Sequence, residues 1–201
     1  MKLNRIILLV FLVLSLVGCA TTSSGPVSYQ DPGAAKPLTT NFGFSDLNQI
    51  AANMVNDMLS HPATVDITRS RRPLVVVGKI QNRTDQHIDT KSITDSISTL
   101  VLRSGKFRFS HIDSRQQIKD EIDYQNYSGM VNRQTATAEG QGIGAEYIIT
   151  GKLAAFIART SRTTEKSYVF TMRLINLQTH VIEWAHEVPI RKVRNRNFFG
   201  S

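Results

Sequence analysis

The side chains that could carry out chemistry are few in this sequence, and they are not spaced for it. The chain has one cysteine and five histidines, and no two histidines have the His-x-His or His-Glu-x-x-His spacing of zinc sites. His186 alternates in phase with Ile182 and Trp184, which favours a packed or rim histidine over a metal ligand. The sequence therefore predicts neither a metal site nor a cofactor.

Motifs for phosphate binding and acyl transfer are absent as well. A P-loop ends in Gly-Lys followed by Ser or Thr, whereas the Gly-Lys pairs at positions 78–79, 105–106 and 151–152 are each followed by an apolar residue. Neither the Gly-x-Ser-x-Gly elbow of serine hydrolases nor the Ser-x-x-Lys of penicillin-interacting enzymes occurs. We therefore predict that the chain is not an enzyme.

The cysteine lies at the end of a segment typical of export signals. Lys2 and Arg5 precede residues 6–17, which are apolar apart from one serine. This length suits a signal peptide and is too short for a membrane-spanning helix, which needs about 20 apolar residues. Residues 16–19 read Leu-Val-Gly-Cys and resemble the lipobox of bacterial lipoproteins. The resemblance implies that Cys19 is lipidated and becomes the mature N-terminus.

The residue after the cysteine bears on location. It is Ala20, whereas many lipoproteins retained in the inner membrane have Asp there, so the resemblance implies a lipid anchor in the outer membrane, facing the periplasm. In that compartment the formal charge of +8 does not indicate nucleic acid. We interpret the basic clusters at 69–72 and 191–196 as a solvated loop and a frayed tail, with anionic lipid, peptidoglycan carboxylates or an acidic protein as alternative partners.

Composition divides the chain into four segments. Residues 1–18 are predicted to be a lipoprotein signal peptide, and 19–44, rich in Thr, Ser, Gly and Pro, a lipidated N-terminus and flexible linker. Residues 45–190 are predicted to form one globular domain, and 191–201 a basic C-terminal tail.

The spacing of apolar residues predicts helices and strands in the domain. A period of 3.6 predicts a helix over 45–59, with Ser45 as its N-cap and Pro62 as its stop. Next in chain order we predict a strand over 74–80, a polar turn over 82–85, a helix over 93–101 ended by Ser104-Gly105, and a strand over 107–112. A helix capped by Asp113, with Ile118 and Ile122 inward, is predicted to follow, then a loop over 124–133 and a short helix over 135–142. The last predicted elements are strands over 147–157, 168–176 and 181–188, with a connection over 160–166 between the first two. This order predicts an α/β (α+β) fold, with a single mixed or antiparallel sheet of four to five strands flanked by helices.

Several short motifs, in a characteristic order, resemble the LpoB family of outer-membrane lipoproteins. They are Asn82-Arg83-Thr84, Ser104-Gly105-Lys106-Phe107, Gln116-Gln117, Gly144-Ala145-x-Tyr147 and Ile182-x-Trp184. The resemblance implies a fold similar to the N-terminal domain of TolB. It also implies a non-enzymatic protein that docks on a small non-catalytic domain of a bifunctional class A penicillin-binding protein and activates it allosterically, stimulating glycan polymerisation and crosslinking. Peptidoglycan itself is a further candidate partner.

Exposure and charge indicate which residues could contact such a partner. We select Arg83 and Asp85 in the turn after the first strand, and Arg108 on exposed strand surface, although roles as ordinary solvated residues remain equally open. Two alternative functions also stay open. One is a subunit of an outer-membrane secretion or surface-structure assembly related to the curli transport lipoprotein, and the other is a periplasmic hydrolase.

Overall fold

Five strands form one mixed sheet in the order β2-β1-β3-β4-β5. The computed structural model describes residues 39–110 and 112–195. The strands are β1 Leu74–Arg83, β2 Arg108–Phe109, β3 Tyr147–Arg159, β4 Thr163–Asn176 and β5 Ile182–Asn195. Strand β1 pairs in parallel with both β2 and β3, while β3, β4 and β5 form an antiparallel meander. This arrangement confirms the predicted single mixed sheet and the α+β class.

Helices cover one face of this sheet. They are α1 Phe44–Ser60, α2 Pro62–Ile67, α3 Thr90–Arg103 and α4 Arg115–Tyr127, with a 3-10 turn at Ile112–Ser114. Helix α1 packs against β4 and β5, and α3 packs against β1 and β2. Their apolar stripes meet the inward residues of the strands in one core, which includes Ile50, Met54, Ile93, Ile97, Val75, Ile149, Leu153, Phe170 and Trp184. Within the described residues no helix packs on the other face, which we call the open face.

Four strands are longer than predicted, and β3 is extended by two residues, to Arg159. Strand β1 continues to Arg83, although a turn was predicted from residue 82, and β4 already begins at Thr163, so the hairpin connection is only 160–162. Strand β5 continues to Asn195, so the predicted tail boundary at 191 is wrong. The added residues are mostly polar. They can continue a strand because pairing with the neighbouring strand satisfies their backbone N–H and C=O groups, while their side chains stay in solvent on one face of the sheet. Residues 196–201 lie outside the described part.

Helix α1 has a different start from the predicted one. Its N-cap is Gly43 rather than Ser45, and the Gly43 amide donates a 2.7 Å hydrogen bond to the Asp46 carboxylate. Pro62 does more than end this helix, because it begins α2 at a position where its missing N–H costs nothing. Residues 39–43 pack on the domain as described below, so the predicted linker ends too late.

The crossover between β2 and β3 differs most from the prediction. The strand predicted over 107–112 shrinks to Arg108–Phe109, and α4 begins after Ser114 and runs through Tyr127 into the predicted loop. Ile118 does not point inward, since it is 54% exposed, and α4 has no buried residue. The short helix predicted over 135–142 is absent, and turns and irregular chain occupy that range.

The end of α3 confirms its prediction. Ser104 is the C-cap, and Gly105 follows with a φ of +69°, the left-handed conformation that glycine adopts most readily. Within the part of the chain that the structure describes, no helix combines the length and apolar character needed to cross a bilayer.

Candidate functional site

We call residues 82–86 the turn after β1, since they are the last two residues of the strand and the bend that follows them. This turn carries two of the three candidate contact residues. The side chain of Asn82 holds this turn together: its Oδ1 accepts hydrogen bonds from the amide and the hydroxyl of Thr84 at 3.0 and 2.8 Å, and its Nδ2 donates to the Gln86 carbonyl at 2.8 Å. Arg83 and Asp85 are both exposed on this ordered turn. The structure therefore brings these two predicted residues together.

Asp85 is the solvent-exposed half of an ion pair. The ammonium of Lys166 lies 2.9 Å from its carboxylate, and the Lys166 side chain is only 7% exposed, against 52% for Asp85. The hydrogen bond from Lys166 holds the pKa of Asp85 below its usual value. Burial is the largest single influence on the pKa of Lys166 and lowers it, but the interactions with Asp85 and Tyr168 together outweigh burial, and the pKa is raised. Asp85 therefore presents a carboxylate whose charge is already partly balanced.

The segment 39–43, which we call the strap, is bound to this turn. The Tyr168 hydroxyl lies 2.6 Å from Gln86 Oε1 and 3.1 Å from the Thr40 carbonyl, and its single proton serves one acceptor at a time. The Phe42 amide donates to the same Gln86 oxygen at 3.1 Å. The Phe42 ring meets the Tyr168 ring edge-on at 5.5 Å, a favourable arrangement for aromatic pairs.

A buried ion pair fixes the strap and the start of α1 to the edge strand. The Lys192 ammonium on β5 lies 2.5 Å from Asp46 Oδ2, and the two side chains are only 8% and 5% exposed. Lys192 also donates to the Asn41 carbonyl at 2.7 Å. Lys192 lies in the range predicted to be a frayed tail, yet its ammonium is buried and bound to two acceptors, the Asp46 carboxylate and the Asn41 carbonyl.

A polar cleft of about 510 Å³ opens beside the strap. It lies where β3 ends and β4 begins, and Asp85, Arg159, Lys166 and Arg194 supply its charged groups. The strap, the turn after β1 and this cleft thus form one charged end of the sheet.

Arg108 lies at the opposite end of the sheet. It pairs with Leu74, the first residue of β1, and its Nε donates to the Arg72 carbonyl at 3.0 Å. Arg83 is nine residues further along β1, which corresponds to about 30 Å at the usual rise of a strand. The structure does not bring Arg108 together with the other two candidates.

The predicted basic loop at 69–72 is paired rather than freely solvated. Arg69 contacts Asp66 at 2.5 Å, and Arg72 donates to the Phe107 carbonyl at 3.1 Å. Arg71 bonds to Glu146, and this hydrogen bond holds the pKa of Glu146 below its usual value. These arginines connect the start of β1 to neighbouring segments, which argues against their use as a free docking patch.

Sequence interpretation missed Lys166, Lys192 and Tyr168 as parts of the site. A signal was present, because both lysines stand at inward positions of alternating strands, Lys166 in phase with Tyr168 and Phe170, and Lys192 in phase with Ile190. A lysine at an inward position predicts a buried partner. The identity of that partner could not be predicted, because Asp46 lies 146 residues away.

His186 is a rim histidine, as predicted. Its ring lies beside that of Trp184, and its Nδ1 is 3.9 Å from the Asp57 carboxylate, which accepts a 2.7 Å hydrogen bond from the Trp184 indole. Among the residues that the structure describes, no group of three His, Cys, Asp or Glu side chains is placed to hold a metal ion. Cys19 and the signal peptide lie outside the described residues.

Comparison with known proteins identifies the domain. A sequence model of the family described as peptidoglycan-synthase activator LpoB matches residues 46–190. The chain belongs to the LpoB family. The family is described as an activator of peptidoglycan synthases, so the chain has the general role of a peptidoglycan-synthase activator. The family predicted from the order of short motifs is therefore confirmed.

Solved LpoB structures match the chain at low identity. The LpoB C-terminal domain from Escherichia coli is 19% identical over 72% of this chain and 98% of that one, with a TM-score of 0.46. The corresponding domain from Salmonella enterica is 16% identical over 72% and 98%, with a TM-score of 0.45. The NMR structure of E. coli LpoB is 18% identical over 90% and 82%, with a TM-score of 0.43. No curated protein matches the sequence.

Proposed function

We propose that this LpoB-family chain is an outer-membrane lipoprotein that binds a bifunctional class A penicillin-binding protein and activates it allosterically, stimulating glycan polymerisation and crosslinking. The observation that carries the proposal is the family match over 46–190, which covers nearly the whole folded domain. The lipobox at Cys19 supports the lipid anchor.

The turn after β1 is the part of the domain best suited to dock on the synthase. It presents Arg83 and Asp85 on a backbone already ordered by Asn82, so docking costs little further conformational entropy. Because Lys166 partly balances Asp85, Arg83 supplies the stronger free charge. Arg108, about 30 Å away, would contact a different part of the partner.

Activation requires a difference in affinity between two states of the synthase. The lipoprotein must bind the active state more tightly, by about 1.4 kcal/mol for each tenfold shift in the equilibrium. An LpoB-family protein that bound both states equally would form a complex without stimulating the enzyme.

The strap limits how far the domain reaches from the membrane. Because residues 39–43 are bound to the domain, the tether between the lipidated cysteine and the folded part is residues 20–38. A chain of this length spans at most about 65 Å. Because the turn after β1 is bound to the strap, this turn would meet the synthase at about that distance from the outer membrane or less.

The test adds a soluble form that begins after Cys19 to the cognate class A synthase and measures the rate of glycan polymerisation and the extent of crosslinking. We expect both to rise and a complex to be detected on sizing. An unchanged polymerisation rate with no detectable complex would overturn the proposal.

A pair of variants tests the docking residue. Arg83→Ala removes an exposed cation from the turn, and Arg133→Ala removes an exposed cation from the crossover loop. If the turn docks, Arg83→Ala weakens the complex at least fivefold and Arg133→Ala leaves it unchanged. Equal effects of the two variants would exclude the turn as the docking element.

A further inference from the structure

The open face of the sheet contains a small cleft that the activator role does not use. Its volume is about 170 Å³. The polar side chains that line it are Lys79, Gln81, Thr150, Lys152, Thr171 and Arg173. These residues come from three neighbouring strands, β1, β3 and β4, and lie on the side away from α1 and α3.

Strand register places these side chains on one face. Thr150 pairs with Arg173 and Lys152 with Thr171 across the antiparallel β3–β4 ladder, while Gln81 pairs with Lys152 across the parallel β1–β3 ladder. Paired residues of adjacent strands point to the same side of a sheet. Lys152 is therefore flanked by Gln81 on one side and Thr171 on the other.

A β-bulge directs the third cation to the same place. Between Val77 and Ile80, which both point into the core, two residues of β1 face one residue of β3. The extra residue lets Lys79 project from the open face, since a bulge redirects side chains. Gly78 suits the bulge because a Cβ there would come within 3.2 Å of Ile148 Cδ1 and 3.4 Å of the Ile149 carbonyl oxygen.

The cleft has a local charge of +3 with no acid lining it. Lys79, Lys152 and Arg173 are exposed, and among the described residues their side chains have no ion-pair or hydrogen-bond partner. On the neighbouring strand β5, Glu187 pairs with Thr171 and accepts a 3.2 Å hydrogen bond from the Thr171 hydroxyl. By contrast, two lysines near the strap have carboxylate partners: Lys166 pairs with Asp85, and Lys192 pairs with Asp46.

We infer that this cleft binds a phosphate-type oxyanion that carries at least two negative charges, such as pyrophosphate or a phosphate ester. Two ammonium groups and a guanidinium supply charge-assisted hydrogen bonds, and the Thr150 hydroxyl and Gln81 amide add neutral donors. A single carboxylate would balance only one of the three cations, whereas a pyrophosphate group matches their number and fits the volume. The inference is independent of the proposed synthase.

The test titrates the full mature chain, purified in a non-ionic detergent, with inorganic pyrophosphate. Calorimetry measures the affinity, and amide resonances report the location. We expect saturable binding with shifts concentrated at Gly151, Lys152 and Thr171. The variant Lys79→Gln/Lys152→Gln/Arg173→Gln should bind at least tenfold more weakly, because each charge-assisted bond to an oxyanion contributes strongly.

A second triple variant controls for overall charge. Arg103→Gln/Arg115→Gln/Arg133→Gln removes three exposed cations that lie outside the cleft, and its affinity should stay within twofold of the natural chain. Absence of binding, or equal losses in the two triple variants, would overturn the inference. If the cleft variant does not fold, the resonance map of the natural chain still decides, because dispersed shifts would overturn the inference as well.

Two further probes identify the class and source of the anion. Tighter binding of muropeptides that carry only carboxylates would overturn the phosphate assignment. Vesicles of phosphatidylcholine with and without phosphatidic acid, whose headgroup is a phosphate monoester, separate two sources of the same chemistry. Shifts at the cleft with the anionic vesicles would assign a lipid headgroup, and shifts with soluble pyrophosphate alone would assign a free phosphate compound.

Discussion

Helices α1 and α4 have similar lengths, 17 and 13 residues, but opposite relations to the core. Helix α1 buries seven residues and is tied to β5 at both ends, by Asp46 to Lys192 and by Asp57 to Trp184. Helix α4 buries none. It contacts the 3-10 turn before it, and it bonds to the loop that follows it, where Asn126 donates to the Thr137 carbonyl and the Tyr127 hydroxyl to Glu139.

The difference shows that apolar spacing alone does not decide burial. Ile118 and Ile122 have the i, i+4 spacing of an inward stripe, yet the chain between β2 and β3 carries α4 away from the sheet, and Ile118 stays exposed. A helix without an apolar surface to pack on gains little beyond its local hydrogen bonds. We expect the stability of this LpoB-family domain to be concentrated in α1, α3 and the sheet, with α4 opening locally.

Loss of the buried ion pair should have the largest effect. Asp46→Ala leaves the Lys192 ammonium buried without its carboxylate, and breaking one half of a buried pair costs about 3–5 kcal/mol. Urea unfolding followed by circular dichroism measures this loss. The matched change on α4 is Asp123→Ala, which breaks the exposed pair with Lys119 and should leave the urea midpoint unchanged. A small effect of Asp46→Ala would mean that Lys192 reaches water when unpaired.

Matched core deletions compare the two helices directly. Ile50 on α1 is fully buried, whereas Ile118 on α4 is 54% exposed. Ile50→Ala should lower the free energy of unfolding by about 2–5 kcal/mol, and Ile118→Ala by no more than about 0.5 kcal/mol. Equal losses in the two variants would show that α4 packs on the domain after all.

Glycine substitutions extend the comparison to the strands and the crossover loop. A Cβ on Gly151 would lie 3.1 Å from the Thr171 carbonyl oxygen and 3.2 Å from Phe170 Cζ, while one on Gly142 would meet nothing within 4 Å. Gly151→Ala should therefore cost about 1–3 kcal/mol through overpacking. Gly142→Ala should be neutral or slightly stabilising, since it restricts the unfolded chain. Thermal unfolding of the two variants checks both expectations, and a neutral Gly151→Ala would show that β4 gives way.

The smallest effect concerns pH, at the junction where the crossover returns to the sheet. The hydrogen bond from Arg71 lowers the pKa of Glu146 in the folded state relative to its ordinary value of 4.5. Its contribution to stability is therefore complete above that value and is lost as the pH falls through the lower folded pKa. The acid side of the stability profile should be flatter in Glu146→Gln. An unchanged profile would show that Arg71 does not stabilise the folded carboxylate.

Local sequence patterns correctly predicted the helices and strands that depend on residues close in sequence. The stripe of α1, the run that forms β1 and the Gly105 cap were all readable because each depends on residues close in sequence. The predictions failed where a distant partner decides the outcome. Strand β5 continues to Asn195 because β4 is long enough to pair with it, and the strap binds because Tyr168 and Gln86 meet beneath it. Of the three candidate contact residues, the turn unites Arg83 and Asp85, and only the sheet shows that Arg108 is remote.

The sequence by itself predicts an export signal and a lipobox, and it determined the mixed sheet, because each is encoded in residue order or in a short period. It also showed that residues outside the signal and the segment 191–196 carry a net charge of only +2. The net charge does not show where the charged residues lie in the fold. Only the tertiary structure pairs Lys192 with Asp46 and leaves Lys79, Lys152 and Arg173 together without an acid, since strand register and a bulge, rather than the number of charges, decide which of them become neighbours.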